Sequence, residues 1–314
     1  MAVISGGVSR ERPVSLKSGD CVAGALDPAK YQVRRYDPKS DLPALVAEAA
    51  QIDAALVILH GRLGEDGTVQ GLLDLLGIPY QCSGVLGCAM AMDKAVSKQR
   101  FITAGLAVAA DMVLRRGEAP DFPQVIEKVG LPAVVKPVSE GSSFGVRVVG
   151  RPEDLQEAVA TAFQMDRRVM VERFTRGREV TCGVIGNEEL TPLPLVEIIP
   201  GESFGFFDYT AKYTPGATTE ICPARLDPVT TKQVQAMAVL AHRALCLEGY
   251  SRSDFIVGEK GPVILESNTI PGMTATSLLP QAAAEAGMSM AALLDKLIEL
   301  SLDRAARGKG ARAH

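Results

Sequence analysis

The sequence predicts an α/β protein whose N-terminal third carries a parallel sheet. Three observations lead there. Over the first ninety residues, short apolar runs alternate with segments of helical pattern, the order that βαβ units produce. The run AALVIL at 54–59 is apolar throughout, as a strand buried on both faces requires. Turn glycines follow two of the runs, at Gly6-Gly7 and Gly61, and open α/β sheets hold ligands at the carboxyl ends of such strands.

Each element follows from local pattern. The run AVIS (2–5) is the first strand, and a helix starts at Pro13, where proline's missing N–H is harmless, and ends before Asp27-Pro28. YQVRRY (31–36) alternates as a strand, LPALVAEAA (42–50) reads as helix, and TVQGLLDLL (68–76) is a helix closed by Gly77. A helix from Asp93 to about Ala104 leads to LAVAADMVL, then to the buried strand PAVVKP (132–137). The turn GSSFG (141–145) separates it from strand VRVV (146–149). Helix 151–163 opens on a proline and acids, which suit the positive end of the helix dipole. Strands follow at 167–174, 178–186 and 192–198, then a polar, aromatic stretch at 200–220. Helix 228–247, a hairpin at 253–267 and further helices complete the chain, with residues 307–314 expected to be disordered.

Composition narrows the function. In 314 residues, 33 Lys+Arg against 37 Asp+Glu give a net charge of −4, and no long basic block marks a nucleic-acid binder. No apolar run reaches the roughly 18–20 residues that span a bilayer. The start MAVISGGVSR has no charged segment followed by a long apolar one, so a cytoplasmic protein is expected. The six cysteines are scattered without a CxxC pair and read as reduced, mostly buried residues. Of the three histidines, His242 falls inside a helical pattern and only His60 follows an apolar strand.

The hairpin is the sharpest constellation. With Glu259-Lys260-Gly261 as a three-residue loop, Gly258 pairs with Pro262, Asp254 faces Glu266 and Arg252 faces Asn268. Such pairs bring Cβ atoms to roughly 4.5–5.5 Å, and two carboxylates that close repel by roughly 3 kcal/mol at an effective dielectric near 20. A hard divalent cation turns that repulsion into a site, with the Asn268 carbonyl as a third oxygen. The alternative is a solvated polar face; the irregular polar stretch after Asn268 favours magnesium.

GSSFG lies between two strands, so it is neither a P-loop nor a dinucleotide loop, yet its N–H groups and the Ser142 and Ser143 hydroxyls can surround an anion. Lys136 in the preceding apolar strand needs a partner, and a phosphate supplies one. His60 can orient a carboxylate or move protons, with a merely structural role as the plainer reading. Glu65 and Asp66 in the loop after it read as a solvated turn. The aromatic stretch 200–220, with Lys212, reads as a lid.

Together the motifs GGVSRERPVSLKSG (6–19), HGRLGEDGTVQG (60–71), MDK (92–94), VVKPVSEGSSFGV (134–146), DYTAKY (208–213), SRSD (251–254) and ESNTIPGMTATSLLP (266–280) stand in one order. In that order the chain resembles the D-alanine–D-alanine ligases, members of the ATP-grasp carboxylate–amine ligases, along nearly its whole length. The resemblance implies an N-terminal Rossmann-like domain (1–93), a central ATP-grasp subdomain (94–177) and a C-terminal one (178–306). It also implies ATP as co-substrate, magnesium or manganese, two D-alanines, peptidoglycan precursor synthesis and a homodimer.

By the same resemblance, Lys94, Lys136, Lys212 and Ser143 would contact ATP phosphates. Glu172, Arg173, Phe174 and Thr175 would line the adenine, Glu179 would hold the ribose, and Asp254, Glu266 and Asn268 the metal. Arg252 and the Gly272 N–H would stabilise the oxyanion, and Ser277 and Leu278 would receive the second substrate's carboxylate. Ser142 and Tyr213 would join a hydrogen-bonded group over the site, with His60 orienting or handling protons. One position departs from the pattern. Two residues before Ser15, where an acid would anchor the first substrate's ammonium, stands Pro13, so the ammonium either takes another partner, with Glu11 as the candidate, or binds more weakly. The competing readings are a related ligase using another amino acid or D-lactate, and a nucleotide-binding protein without catalysis.

Overall fold

A computed structural model describes residues 1–201 and 218–311. Strands β1 (Ala2–Ser5), β2 (Arg34–Tyr36) and β3 (Ala55–Ile58) form a parallel sheet in the order β2-β1-β3, with Ala2 opposite both Arg34 and Ala55. Every residue of β1 and β3 is buried, as their unbroken apolar runs require. Helix α1 (Arg12–Ala25) carries Pro13 in its first turn. The strand expected from 31 begins only at Arg34, because the Lys30 and Tyr31 N–H groups turn back onto the Asp27 carbonyl. Helix α2 (Leu42–Ala47) is shorter than its pattern, and a single tighter turn at Ala49–Gln51 follows. Helix α3 (Thr68–Leu76) matches its pattern and ends at Gly77, whose φ of 68° is the left-handed cap.

Two helices were not foreseen. Helix α4 (Val85–Met92) is apolar on nearly all sides, so no period betrays it. It runs into α5 (Lys94–Thr103), capped by the Asp93 carboxylate. Helix α6 (Phe122–Val129) has a legible cap in Asp121, which accepts from the Gln124 N–H.

Strands β4 (Asp111–Arg115), β5 (Ala133–Pro137), β6 (Arg147–Val149) and β7 (Arg168–Arg173) form an antiparallel sheet in the order β4-β7-β5-β6. Helices α6 and α7 (Pro152–Ala162) pack on it around Val125, Leu155, Val169 and their neighbours.

The third sheet is antiparallel, in the order β11-β10-β8-β12-β13, with β9 (Thr191–Pro192) paired off β8. Its strands are β8 (Arg178–Ile185), β10 (Val196–Pro200), β11 (Thr218–Ile221), β12 (Tyr250–Gly258) and β13 (Gly261–Asn268). Helix α8 (Pro228–Ala244) covers one face through Val180, Phe255 and Ala241. On the other face, Tyr250, Leu279 and Leu293 join helices α9 (Leu278–Glu285) and α10 (Met290–Ala311) to the core of the N-terminal sheet. Helix α10 is described through Ala311, and residues 312–314 of the tail expected from 307 lie outside the described residues. None of the described helices is long and apolar enough to cross a membrane.

Candidate active site

Two cavities open where these layers meet. The larger, of about 710 Å³, is lined by Glu11, His60, Glu65, Ser142, Arg252, Asn268, Gly272, Ser277 and Leu278 among others. The smaller, of about 150 Å³, lies between the central and third sheets, against Lys136, Ser143, Glu172 to Thr175, Glu179 and Asp254. Lys94, Glu140 and Glu266 line both.

The hairpin positions the shared wall. Arg252 faces Asn268 and Asp254 faces Glu266, as the sequence suggested, but by a different route. The loop is one residue tighter, with Gly258 pairing Gly261 rather than Pro262, and an irregularity beside Asp254 leaves Leu265 as an extra residue on β13. The two differences cancel at the site. Arg252 grips both oxygens of Asp254 at 2.9 Å, while the Thr181 hydroxyl and the Asn268 amide donate to the same carboxylate at 2.7 and 3.2 Å. Lys94 sits 3.4 Å from Glu266 and donates to the Glu140 carbonyl at 2.7 Å. The repulsion between the facing carboxylates is thus met by two cations.

Among the described residues, no group of three or more His, Cys, Asp and Glu is gathered as a metal site. The hairpin set of two carboxylates and one amide is nevertheless the hard-oxygen chemistry that magnesium takes. A cation held there would share Asp254 with Arg252.

The turn after β5 holds Ser142 and Ser143 at φ of 46° and 57°, two successive left-handed residues without glycine. Such backbone persists only where its surroundings enforce it. The Ser142 hydroxyl donates to the Glu11 carboxylate, which ties the turn to the loop before α1. Glu11 is buried in the cavity wall. Pro13 is exposed in the first turn of α1 and is not among the lining residues, so the departure noted at that position falls outside the cavity.

His60 is buried and bonds to the Ile270 backbone, and burial pushes its pKa down to about 4. It is therefore a neutral imidazole near pH 7. A neutral imidazole can donate and accept hydrogen bonds at its two ring nitrogens. Glu65 corrects the solvated-turn reading: it lines the cavity, accepts the Gly61 N–H at 2.6 Å and is pushed up to about 8 by burial, with Glu11 adding repulsion.

Lys136 has a protein partner rather than an empty pocket, because Glu172 lies 2.5 Å from its ammonium. Burial alone would lower the Lys136 pKa, but the Glu172 charge outweighs it and raises it. Burial likewise opposes ionisation of Glu172, yet Lys136 and Lys98 hold it below the usual carboxylate range. Arg173 lines the small cavity while its Nε donates to the Val129 carbonyl at 2.7 Å. Ser277 stands at the N-terminus of α9 with no side-chain bond to the helix; its hydroxyl accepts the Thr274 N–H at 3.0 Å, and Gly272 packs so closely that a Cβ there would meet that hydroxyl at 2.9 Å. Lys212, Tyr213 and most of the expected lid lie outside the described residues.

Comparison with known proteins gives this arrangement a family. A model described as the D-ala D-ala ligase C-terminus matches residues 101–299, and one described as the N-terminus matches 35–83. The D-alanine–D-alanine ligase of Syntrophobacter fumaroxidans is 59% identical over 96% of this chain and 97% of its own. The chain belongs to the D-alanine–D-alanine ligase family. Its backbone matches a crystal structure of the Bacillus anthracis D-alanine–D-alanine ligase complexed with ATP, with a TM-score of 0.86, 34% identity and 98% of each chain covered. The VanG D-Ala:D-Ser ligase of Enterococcus faecalis also matches, at a TM-score of 0.81 and 32% identity over 96% of this chain and 98% of its own. The fold is thus the ATP-grasp fold of these ligases. In this family member, sequence reasoning missed Lys98 and Asp111 behind Glu172; a second lysine one helical turn after Lys94 was the available signal.

Proposed function

We propose that this chain joins two D-alanines into D-alanyl-D-alanine, with ATP split to ADP and phosphate, as a step in peptidoglycan precursor synthesis. The observation that carries the reading is the shared wall. A nucleotide in the small cavity and an amino acid in the large one meet at Lys94, Glu140 and Glu266.

In this reading the donor carboxylate oxygen attacks the γ-phosphorus, ADP leaves, and an acylphosphate forms. The acceptor amine then attacks the acyl carbon, loses a proton, and phosphate departs with the former carboxylate oxygen. Glu172 to Thr175 and Glu179 receive the nucleoside, and Lys94 and Lys136 face its phosphates. A magnesium ion held by Asp254, Glu266 and Asn268 would neutralise phosphate charge. Glu11 takes the donor ammonium. Arg252 and the Gly272 N–H face the tetrahedral oxyanion, where one preorganised donor is worth roughly 10²–10³ in rate. The N-terminus of α9, at Ser277 and Leu278, suits the acceptor carboxylate.

The test is phosphate release from ATP and magnesium with D-alanine, L-alanine, D-serine, D-lactate or no addition, with the product identified by mass. The reading expects dipeptide only with D-alanine, and Glu266→Gln to slow turnover by about 10²-fold or more. Release indifferent to D-alanine, or unaffected by that substitution, would overturn it.

A further inference from the structure

Glu172 is held from two sides. On the cavity side stands Lys136 from β5, 2.5 Å away. Behind it, Lys98 from α5 lies 3.4 Å from Glu172 and 3.1 Å from Asp111, which faces Glu172 across β4 and β7. Lys98 is only 6% exposed and, like Asp111, is absent from the lining of the nucleotide cavity, whereas Glu172 and Lys136 are in it. The groups around Glu172 are therefore Lys136, Lys98 and Asp111, with Glu266 beyond Lys136.

The inference rests on the nucleotide reading above. Phosphates entering the small cavity draw on the Lys136 ammonium, which can reach them. Lys98 cannot follow, because it is buried against Asp111 and Glu172, outside the cavity lining. We propose that Lys98, anchored by Asp111, is the positioning residue that keeps Glu172 an ionised, acceptor-only carboxylate when nucleotide is bound, and so sets preference for a 6-amino over a 6-oxo purine. A carboxylate accepts from the adenine amino group and opposes an oxo group. A protonated Glu172 could donate to either ring and would lose that discrimination.

Equilibrium binding of magnesium ADP and magnesium IDP, without amino acid, isolates this step. The wild type should favour ADP by about tenfold or more, as expected for a mismatched buried hydrogen bond, with a ratio flat between about pH 6 and 9. In Lys98→Met the ratio should collapse at the acid end and recover as pH rises, with kcat at saturating ATP unchanged and the loss confined to KM. Lys98→Arg should restore the flat ratio. Equal weakening of both nucleotides at every pH, or a Lys98→Met profile like the wild type's, would overturn the proposal. Should Lys98→Met fail to fold, a wild-type ratio that falls toward pH 6 overturns it equally. Binding of ADP without D-alanine-dependent turnover would remove the ligase reading and leave this one standing; no nucleotide binding would remove both.

Discussion

Glu65 and His60 share a cavity wall and shift in opposite directions, since burial penalises whichever form is charged. For Glu65 the folded chain keeps a proton that the unfolded chain releases above its ordinary pKa of 4.5. Stability therefore falls as pH rises from about 4.5 to about 8. Glu65→Gln mimics the protonated form, so its melting temperature should exceed the wild type's by a few degrees at about pH 8.5 and match it near pH 4.5. Equal melting curves at both would sink the burial argument. Glu11 and Pro13 make a second pair of expectations. Glu11→Gln should raise KM for the donor D-alanine by about tenfold or more, the scale of a lost charged hydrogen bond. Pro13→Glu should leave it unchanged, because that position is exposed on α1. A tighter KM in Pro13→Glu would favour position 13 over Glu11 as the ammonium's anchor.

Elements were legible where one period dominated. The apolar runs of β1 and β3 and the patterned helix α3 could be read almost to the residue. Helix α4 could not, because an apolar run without a polar face carries no phase. The hairpin is more instructive: its site pairs were right although the loop was wrong, since the extra residue at Leu265 restores the register that the tighter loop would have shifted. No residue type in that strand announces the irregularity. The entry to β12 shows what fixes the element in place. Gly249 has φ of 71°, accepts from Gly186 N–H at 2.8 Å, and a Cβ there would overlap the Gln81 carbonyl oxygen. Gly249→Ala should therefore destabilise by about 2–4 kcal/mol, combining backbone strain with a collision against main chain. Chemical denaturation would measure it, and a loss below about 0.5 kcal/mol would mean that the 80–83 segment yields easily.

At the scale of the molecule, the described residues gather into three cores. The N-terminal sheet shares one core with α9, α10 and a face of the third sheet, while the central sheet has a smaller core of its own with α6 and α7. Helix α5, which a boundary at 94 assigns to the central unit, puts Phe101 in the core beneath α8. Arg304 fastens the larger assembly: it lies 4.2 Å from the Tyr80 ring centre and donates to the Tyr80 and Cys82 carbonyls at 2.9 and 2.5 Å. No pattern in the sequence pairs residue 304 with residue 80, because that contact exists only once the core shared by the N-terminal sheet and α10 has formed. The central core stands apart from the two that cover the third sheet, and that division predicts two heat-absorption peaks in calorimetry of the free protein, the lower belonging to the central unit. Arg304→Ala should lower only the upper peak, with a loss of about 2 kcal/mol from one cation–aromatic contact and its hydrogen bonds. Magnesium ADP at about 100 times its Kd should raise the lower peak by the equivalent of about 2.7 kcal/mol, because the nucleotide joins the central sheet to the third. A single peak that Arg304→Ala moves as a whole would mean that the nucleotide cleft already couples the central core to the rest of the molecule, and that closure there is built into the fold rather than supplied by the ligand.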